Sequence, residues 1–456
     1  MSLLIYNSLS GEKEEFVPVH PGRVGMYVCG PTVYGPCHIG HARSVVVFDV
    51  IARYLRIKGY DVKYVRNFTD VDDKIINRAA ETGLSAAEVA EKYIAEFYRD
   101  MDALFVQRAT VEPRATEHIS DIIRVIQLLV DKGVAYESGG DVFFSVDRFP
   151  EYGKLSGRRL EEMDAGARIE VDKRKKNPFD FVLWKAEKPG EPSWDSPWGR
   201  GRPGWHIECS AMSTHYLGET FDIHGGGRDL LFPHHENEIA QSEAAFGRQF
   251  VRYWVHNGFV RIDKEKMSKS LNNFKTVKEI LDSYDPEAVR LFLLSKHYRS
   301  PVDFSQASMD QSNDSGDGSD LWDRFCQAMD DDFNTARGIA VLFEAAREIN
   351  RALDSGTNED RCKAMEARET MVRIGSVLGL FNVSAREHLE RQKDAVARET
   401  HIDSAKIDSM VAQRAAARKA RDFATADRIR DQLAGLGVVL EDLPDGTTIW
   451  KFTGKG

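Results

Sequence analysis

The feature that most constrains this chain is the tetrapeptide His38-Ile39-Gly40-His41, placed where a short apolar strand passes into a helix. Far downstream it is answered by Lys266-Met267-Ser268-Lys269-Ser270. Upstream of the histidines, Val24-Gly25-Met26-Tyr27-Val28-Cys29 reads as a buried strand that Gly30-Pro31-Thr32 breaks. Beyond them, Val47, Phe48, Ile51 and Leu55 recur at helical spacing, so a helix covering Ser44 to Leu55 begins close by. Val45-Val46-Val47-Phe48 is core. A helix N-terminus presents unpaired backbone N–H groups and the positive end of a dipole, which suits a phosphate.

Gly40 lets a nucleotide approach the backbone closely, and two imidazoles can add hydrogen bonds to its phosphate. The bland alternative is a pair of ordinary surface histidines. Around the second string, Phe259-Val260-Arg261-Ile262 suggests a strand and Asp263-Lys264-Glu265-Lys266 a polar turn into a Ser/Lys loop. Lysines on such a loop can close over a triphosphate and neutralise growing charge; otherwise the loop is merely solvated. The two strings resemble the signature sequences of class I aminoacyl-tRNA synthetases. That resemblance implies an ATP site formed by Gly40, His38, His41, Lys266 and Lys269. The two histidines and two lysines would be catalytic, and Mg²⁺ would accompany ATP. The family usually has Gly two residues after the second string, whereas this chain has Asn272, which tolerates positive φ.

A length of 456 residues predicts about three domains. With 42% hydrophobic and 29% charged residues, the chain reads as soluble and globular. The start lacks a basic n-region, and no stretch approaches the length of a membrane span, so a cytoplasmic protein with no membrane partner is expected. A net charge of −10 argues against wholesale coating of nucleic acid but leaves room for local basic faces. Five irregularly spaced cysteines are no disulfide framework.

Two of those cysteines lie near informative residues. Cys29 ends the first strand, and Cys209 lies in Gly204-Trp205-His206-Ile207-Glu208-Cys209-Ser210. In Phe232-Pro233-His234-His235-Glu236-Asn237-Glu238, Pro233 suits the first turn of a helix, and His234 and Glu238 are four apart on one face. His235 points about 100° away. Spacing alone leaves two readings, a Cys₂HisGlu zinc set or a polar helix with two small buried cysteines. Trp205 could close over a small side chain, Thr69 could meet a substrate's main-chain groups, and Asp229 could pair with an ammonium. Their alternatives are a core tryptophan, a turn threonine and a helix-capping aspartate. In Thr69-Asp70-Val71-Asp72-Asp73-Lys74 the carboxylates stabilise the start of the following helix. Cys37 is expected to be buried and inert, and Cys326 and Cys362 to act as small hydrophobes.

Tyr27 through Tyr34, Gly204 through Ser210, Asp222-Ile223-His224-Gly225-Gly226-Gly227, Phe232 through Glu238 and the lysine loop together are similar to the cysteinyl-tRNA synthetases, over almost the whole chain. The resemblance implies that Cys29, Cys209, His234 and Glu238 hold one zinc ion per chain. It also implies that L-cysteine, ATP and tRNA(Cys) are the partners of a monomer that needs no editing. A substrate thiolate can join zinc where serine's hydroxyl binds poorly. Two rivals are a cysteine ligase of mycothiol biosynthesis, against which the long C-terminal region speaks, and a non-catalytic paralogue.

The expected fold class is α/β, a Rossmann-type parallel-sheet catalytic domain split by an insertion, then an all-helical bundle and a small C-terminal anticodon-binding domain. Residues 1–133 form the first half of the catalytic domain, 134–204 the insertion, 205–250 the second half and 251–305 a stem-contact region bearing the lysine loop. Residues 306–319 read as a flexible linker, a departure from the family, which continues there as a helix. Residues 320–384 follow as a bundle, with Phe325, Met329, Phe333, Ile339, Leu342, Phe343, Ala346 and Ile349 for its core. Residues 385–456 form the anticodon-recognition region. There, one helix would carry Arg414, Arg418, Lys419, Arg421, Arg428 and Arg430 toward phosphates, and an aromatic such as Trp450 would stack a base. Ser85 and Glu88 predict a capping box opening a helix to about Phe105, and a further helix from Glu117 to Lys132 stops before Gly133.

Overall fold

A computed structural model describes residues 2–159, 172–262, 265–266, 275–304, 321–355, 357–388, 390–391, 404–442 and 448–452. Lys269, Asn272 and the 306–319 linker lie outside these residues. The chain divides into two compact units, Met1–Leu380 and Phe381–Gly456.

In the first unit a hairpin of β1 (Leu4–Asn7) and β2 (Glu12–Glu15) precedes β3 (Arg23–Val28). Helix α1 (Ile39–Ile57) returns the chain to β4 (Asp61–Arg66), which lies parallel to β3. Helix α1 starts ahead of its apolar stripe because the His38 imidazole caps it, accepting from the amides of Gly40 and His41. Next come α2 (Asp73–Thr82), α3 (Ala86–Ala103), where the predicted Ser85/Glu88 capping box is present, and α4 (Ile119–Asp131). Gly133 ends that segment at φ 68°, where a side chain would be strained.

The insertion is an antiparallel sheet of β5 (Ala135–Ser138), β6 (Asp141–Phe144), β7 (Phe181–Ala186) and β8 (Gly201–Pro203). The main sheet then resumes through α5 (Trp205–Leu217), β9 (Phe221–Gly227), α6 (Glu236–Phe246) and β10 (Val251–Asn257). Its order is β10-β9-β3-β4, parallel throughout. Both faces of such a sheet are covered, which is why β9 is buried almost end to end. At Gly225 a Cβ would sit 2.2 Å from the Phe48 ring, so glycine lets α1 lie close on β9.

After the sheet come β11 (Val260–Ile262), β12 (Glu265–Lys266), α7 (Val277–Leu281), α8 (Pro286–Leu294) and β13 (Val302–Phe304). Strand β11 pairs with both β12 and β13. Three helices follow, α9 (Leu321–Asp330), α10 (Thr335–Ser355) and α11 (Asn358–Leu378). Phe325, Met329, Phe333, Ile339 and Leu342 are buried there as expected. Phe343 is not: one position past Leu342, it turns about 100° outward and is 47% exposed. Ala346 and Ile349 are only partly buried. Cys362 is exposed on α11, because Ala364 and Ala367 fill its buried stripe. Buried Arg290 binds these helices to the sheet layer, donating to the carbonyls of Leu378 and Leu104 and pairing with Asp49 of α1.

The second unit has helices Ser404–Lys419 and Phe423–Gly435 and a hairpin of Val438–Asp442 with Thr448–Phe452. The expected single basic helix is thus two helices, with Arg421 at φ 62° between them. Arg414 and Arg418 pair with Asp442. Trp450 is 3% exposed, packs in a core with Ile407 and Leu433, and donates to Asp408 at 2.6 Å. Held in that way, its ring has no face for a base, which corrects the expected stacking role. Among the described residues no helix is long and apolar enough to cross a membrane.

Candidate active site

A cavity of about 320 Å³ lies beyond the C-terminal ends of β3 and β9. The chain leaves β3 for β4 on one side and β9 for β10 on the other, so the crevice sits at the switch point of the sheet. Gly30 forms its floor, its amide donating to Asn67 Oδ1 at 2.9 Å. A Cβ there would lie 1.6 Å from the Asn67 carbonyl oxygen, so no other residue fits. His38, Gly40 and His41 line one wall; Trp205, Asp229 and Asn257 through Val260 line others.

The His38 Nδ1 accepts from the amides of Gly40 at 3.1 Å and His41 at 3.3 Å. The two imidazoles stack with centroids 3.6 Å apart. Both rings therefore stand at the positive end of α1, facing the cavity. Lys266 lies in β12 with its backbone opposite Arg261. Two residues after His41, the buried Arg43 guanidinium donates to the carbonyls of Gly258 (3.0 Å), Phe259 (2.7 Å), His297, Tyr298 and Ser300.

Behind Trp205 lie the metal-compatible side chains. The Cys29 sulfur is 3.6 Å from that of Cys209 and 3.4 Å from Glu238 Oε1. His234 Nε2 is 3.1 Å from the same oxygen. All four groups could hold one metal ion, and so could the overlapping set Cys29, His224, His235 and Glu238. Burial raises the Cys209 thiol, but the hydrogen bond from Cys29 and the nearby His234 outweigh it and bring the group down to about 6. Burial likewise raises Glu238, yet His224 and His234 hold it at about 2. Two sulfurs, a carboxylate and an imidazole thus meet in one largely buried cluster, a donor set that suits a borderline divalent cation.

Comparison with known proteins bears directly on this arrangement. Residues 15–314 match the family described as "tRNA synthetases class I (C) catalytic domain", residues 324–382 the DALR domain, and residues 404–449 the "Cysteinyl-tRNA ligase anticodon binding domain". A cysteine–tRNA ligase of Geobacter sulfurreducens is 56% identical over 481 residues, spanning 99% of this chain and 100% of that protein. The chain belongs to the cysteine–tRNA ligase family. A cysteine–tRNA ligase of Thermodesulfovibrio yellowstonii is 52% identical, covering 98% of this chain and 99% of the relative. In fold, the chain is similar to Mycobacterium tuberculosis methionyl-tRNA synthetase in complex with methionyl-adenylate, with TM-score 0.55 and 16% identity over 78% of this chain and 89% of the other.

Several residues of this cysteine–tRNA ligase family member lie differently from expectation. Pro233 is in a one-turn segment, Leu231–His235, and the α-helix proper starts only at Glu236, because Phe232 is extended at φ −138° and breaks the helical path. His234 and Glu238 still meet across that junction. Thr69 is buried outside the cavity lining, with its hydroxyl donating to Glu208 at 2.8 Å. Trp205 stacks on His234 at 4.2 Å and lines the cavity, as does Asp229. Asp72 caps α2, while Asp70 accepts from the amide and hydroxyl of Thr116. Cys37 is buried, and burial pushes its thiol far up.

Three residues went unremarked in the sequence. The Nδ1 of His206 is 2.9 Å from that of His234, and His224 Nε2 is 2.8 Å from Glu238 Oε2. Each orients a potential ligand through its far atom. Tyr27 presents its buried phenol toward Cys209, Cys29 and Glu238. The HIEC string holds His206 three residues before Cys209, which is the signal that could have found it.

Proposed function

We infer that the chain activates L-cysteine with ATP and transfers it to tRNA(Cys). The observation that carries this reading is the shared wall. Trp205 lines the nucleotide cavity on one side and stacks on His234 of the thiol-bearing cluster on the other. A substrate bound there places its carboxylate toward the phosphates and its side chain toward the cluster.

The cysteine carboxylate oxygen attacks the α-phosphorus of ATP in line. The new O–P bond forms as the bond to pyrophosphate breaks, giving cysteinyl-adenylate. A ribose hydroxyl of the tRNA's terminal adenosine then attacks the carbonyl carbon and AMP leaves. No protein nucleophile is needed. His38, His41 and the α1 N-terminus stabilise charge on the α-phosphate, Lys266 and Lys269 offset it on the leaving pyrophosphate, and Mg²⁺ accompanies ATP. Asp229 pairs with the substrate ammonium and Trp205 covers the side chain.

Zinc held by Cys29, Cys209, His234 Nε2 and Glu238 would supply a soft bond to the substrate thiolate. The donor set fits: it has two sulfurs, an imidazole and a carboxylate, with His206 and His224 behind the last two. The first set is preferred to the overlapping one because it adds a second sulfur, that of Cys209, 3.6 Å from that of Cys29. Residues 404–449 read the anticodon, and the chain works as a monomer in the cytoplasm.

Exchange of pyrophosphate into ATP tests this reading. Cysteine is expected to support exchange at least about 10³-fold better than serine, since a site built to bond one substrate group rejects analogues lacking it far beyond the 1–3 kcal/mol of a methylene. Removing the metal should abolish the preference along with most activity. Equal rates with serine, or full activity in metal-free enzyme, would sink the selection role of the cluster. No cysteine-dependent exchange at all would point to a non-catalytic paralogue.

A further inference from the structure

A second group of metal-compatible side chains lies at the far end of α5 from the cavity. His118 closes the 3₁₀ turn Ala115–His118 ahead of α4, Asp121 lies in the first turn of α4, and His215 lies in the last turn of α5. Two nitrogens converge on one oxygen: His118 Nδ1 is 3.0 Å and His215 Nδ1 is 3.1 Å from Asp121 Oδ2. We propose that these three side chains form a second binding site for a zinc-class divalent cation, separate from the cysteine pocket.

Four observations carry this. The donor types are right for a borderline cation, two imidazoles and a carboxylate. Their spacing is nearly right as well. Ligand bonds of about 2.0–2.1 Å in a tetrahedron put neighbouring donors about 3.3 Å apart, against 3.0 and 3.1 Å from each imidazole to the carboxylate here, with all three donor atoms within 4.8 Å of one another.

The inner histidine is already oriented. His118 is only 6% exposed, and its Nε2 is 3.0 Å from the Tyr216 hydroxyl, a second contact that holds the ring with Nδ1 toward Asp121. Finally, the site has an entrance: the His215 side chain is 44% exposed, which leaves a fourth position for water. Arg124 is 3.9 Å from the other Asp121 oxygen and half exposed, so it can turn to solvent.

Such an ion would tie the start of α4 to the end of α5. Cys209 is six residues before His215, roughly 9 Å along the helix axis, so the two sites share no ligand. The second site would act as a structural clamp on the helix that carries Cys209. It stands on its own geometry and does not depend on the catalytic reading.

The test is zinc stoichiometry of the full-length protein, stripped with chelator and dialysed against excess free Zn²⁺. The wild type is expected to hold two equivalents, and His215→Ala and Cys209→Ser one each. Asp121→Asn should behave as His215→Ala does, which guards against one variant misfolding. Added Zn²⁺ should raise the Tm of Cys209→Ser but not that of Cys209→Ser/His215→Ala. One equivalent in the wild type, lost in Cys209→Ser, would overturn the proposal and leave the cysteine pocket's metal standing. Two equivalents surviving in His215→Ala would overturn it too, since the second ion would lie elsewhere. One equivalent lost in His215→Ala but kept in Cys209→Ser would support the proposal and count against the metal in the cysteine pocket.

Discussion

In the Cys209→Ser variant, kcat/KM for L-cysteine in pyrophosphate exchange is expected to fall about 10²–10³-fold while KM for ATP changes less than about threefold. The sulfur of buried Cys209 lies 3.6 Å from that of Cys29 and beside His234. A serine hydroxyl there stays protonated and is a poor partner for a soft cation. Even outer-shell changes at metal sites cost about 10–100-fold, so loss of the proposed ligand itself should exceed that. The cavity wall built from α1 and from Asn257 through Val260, proposed for ATP, involves different residues and should be spared. Parallel losses for both substrates, with a lowered Tm, would mean that the variant had unfolded the pocket and that Cys209 has no selective role.

The second large effect falls on the rate. His41→Ala is expected to lower kcat of exchange about 10²–10³-fold with little change in KM for cysteine, the cost typical of deleting one preorganised donor to a charge that develops in the transition state. The ring is held against His38 at 3.6 Å, so its position at the helix terminus is set before substrate arrives. His41→Asn keeps a side-chain donor and should recover part of the loss. If KM for ATP rose instead and kcat were unchanged, His41 would serve ground-state binding only.

Local signals made much of this fold legible. The Ser85/Glu88 capping box, the glycine stop at Gly133 and the apolar stripe after His41 each act within a few residues, and each announced its element, although α1 begins at Ile39, ahead of the expected Ser44. The pairing of His234 with Glu238 survived even though the helix begins later than Pro233 suggested, because the turn before it keeps them on one side. Tertiary partners were harder to read. Thr69 faces Glu208 of α5, and Trp450 faces Asp408 across the second unit, so both hydroxyl and indole are committed to residues that no local pattern associates with them. His224 and His206 were missed for the same reason, since their relation to Glu238 and His234 exists only once β9, α5 and α6 are packed. Phe343 shows the limit of periodicity: Val341 and Leu342 fill the buried stripe of α10, and the next position turns out of it.

The Arg43 guanidinium gathers carbonyl oxygens from two segments, Gly258-Phe259 and His297 through Ser300, and its own helix begins at the histidines. Five dipoles converge on one buried cation, so the helix terminus and the opposite wall of the crevice are riveted into a single mechanical part. Thermal breathing that widened the crevice there would have to strip several charge-assisted bonds at once. Any movement that opened or closed the crevice must therefore hinge outside Gly258, Phe259 and the first turns of α1, and this side of the cavity behaves as an anvil and not as a jaw.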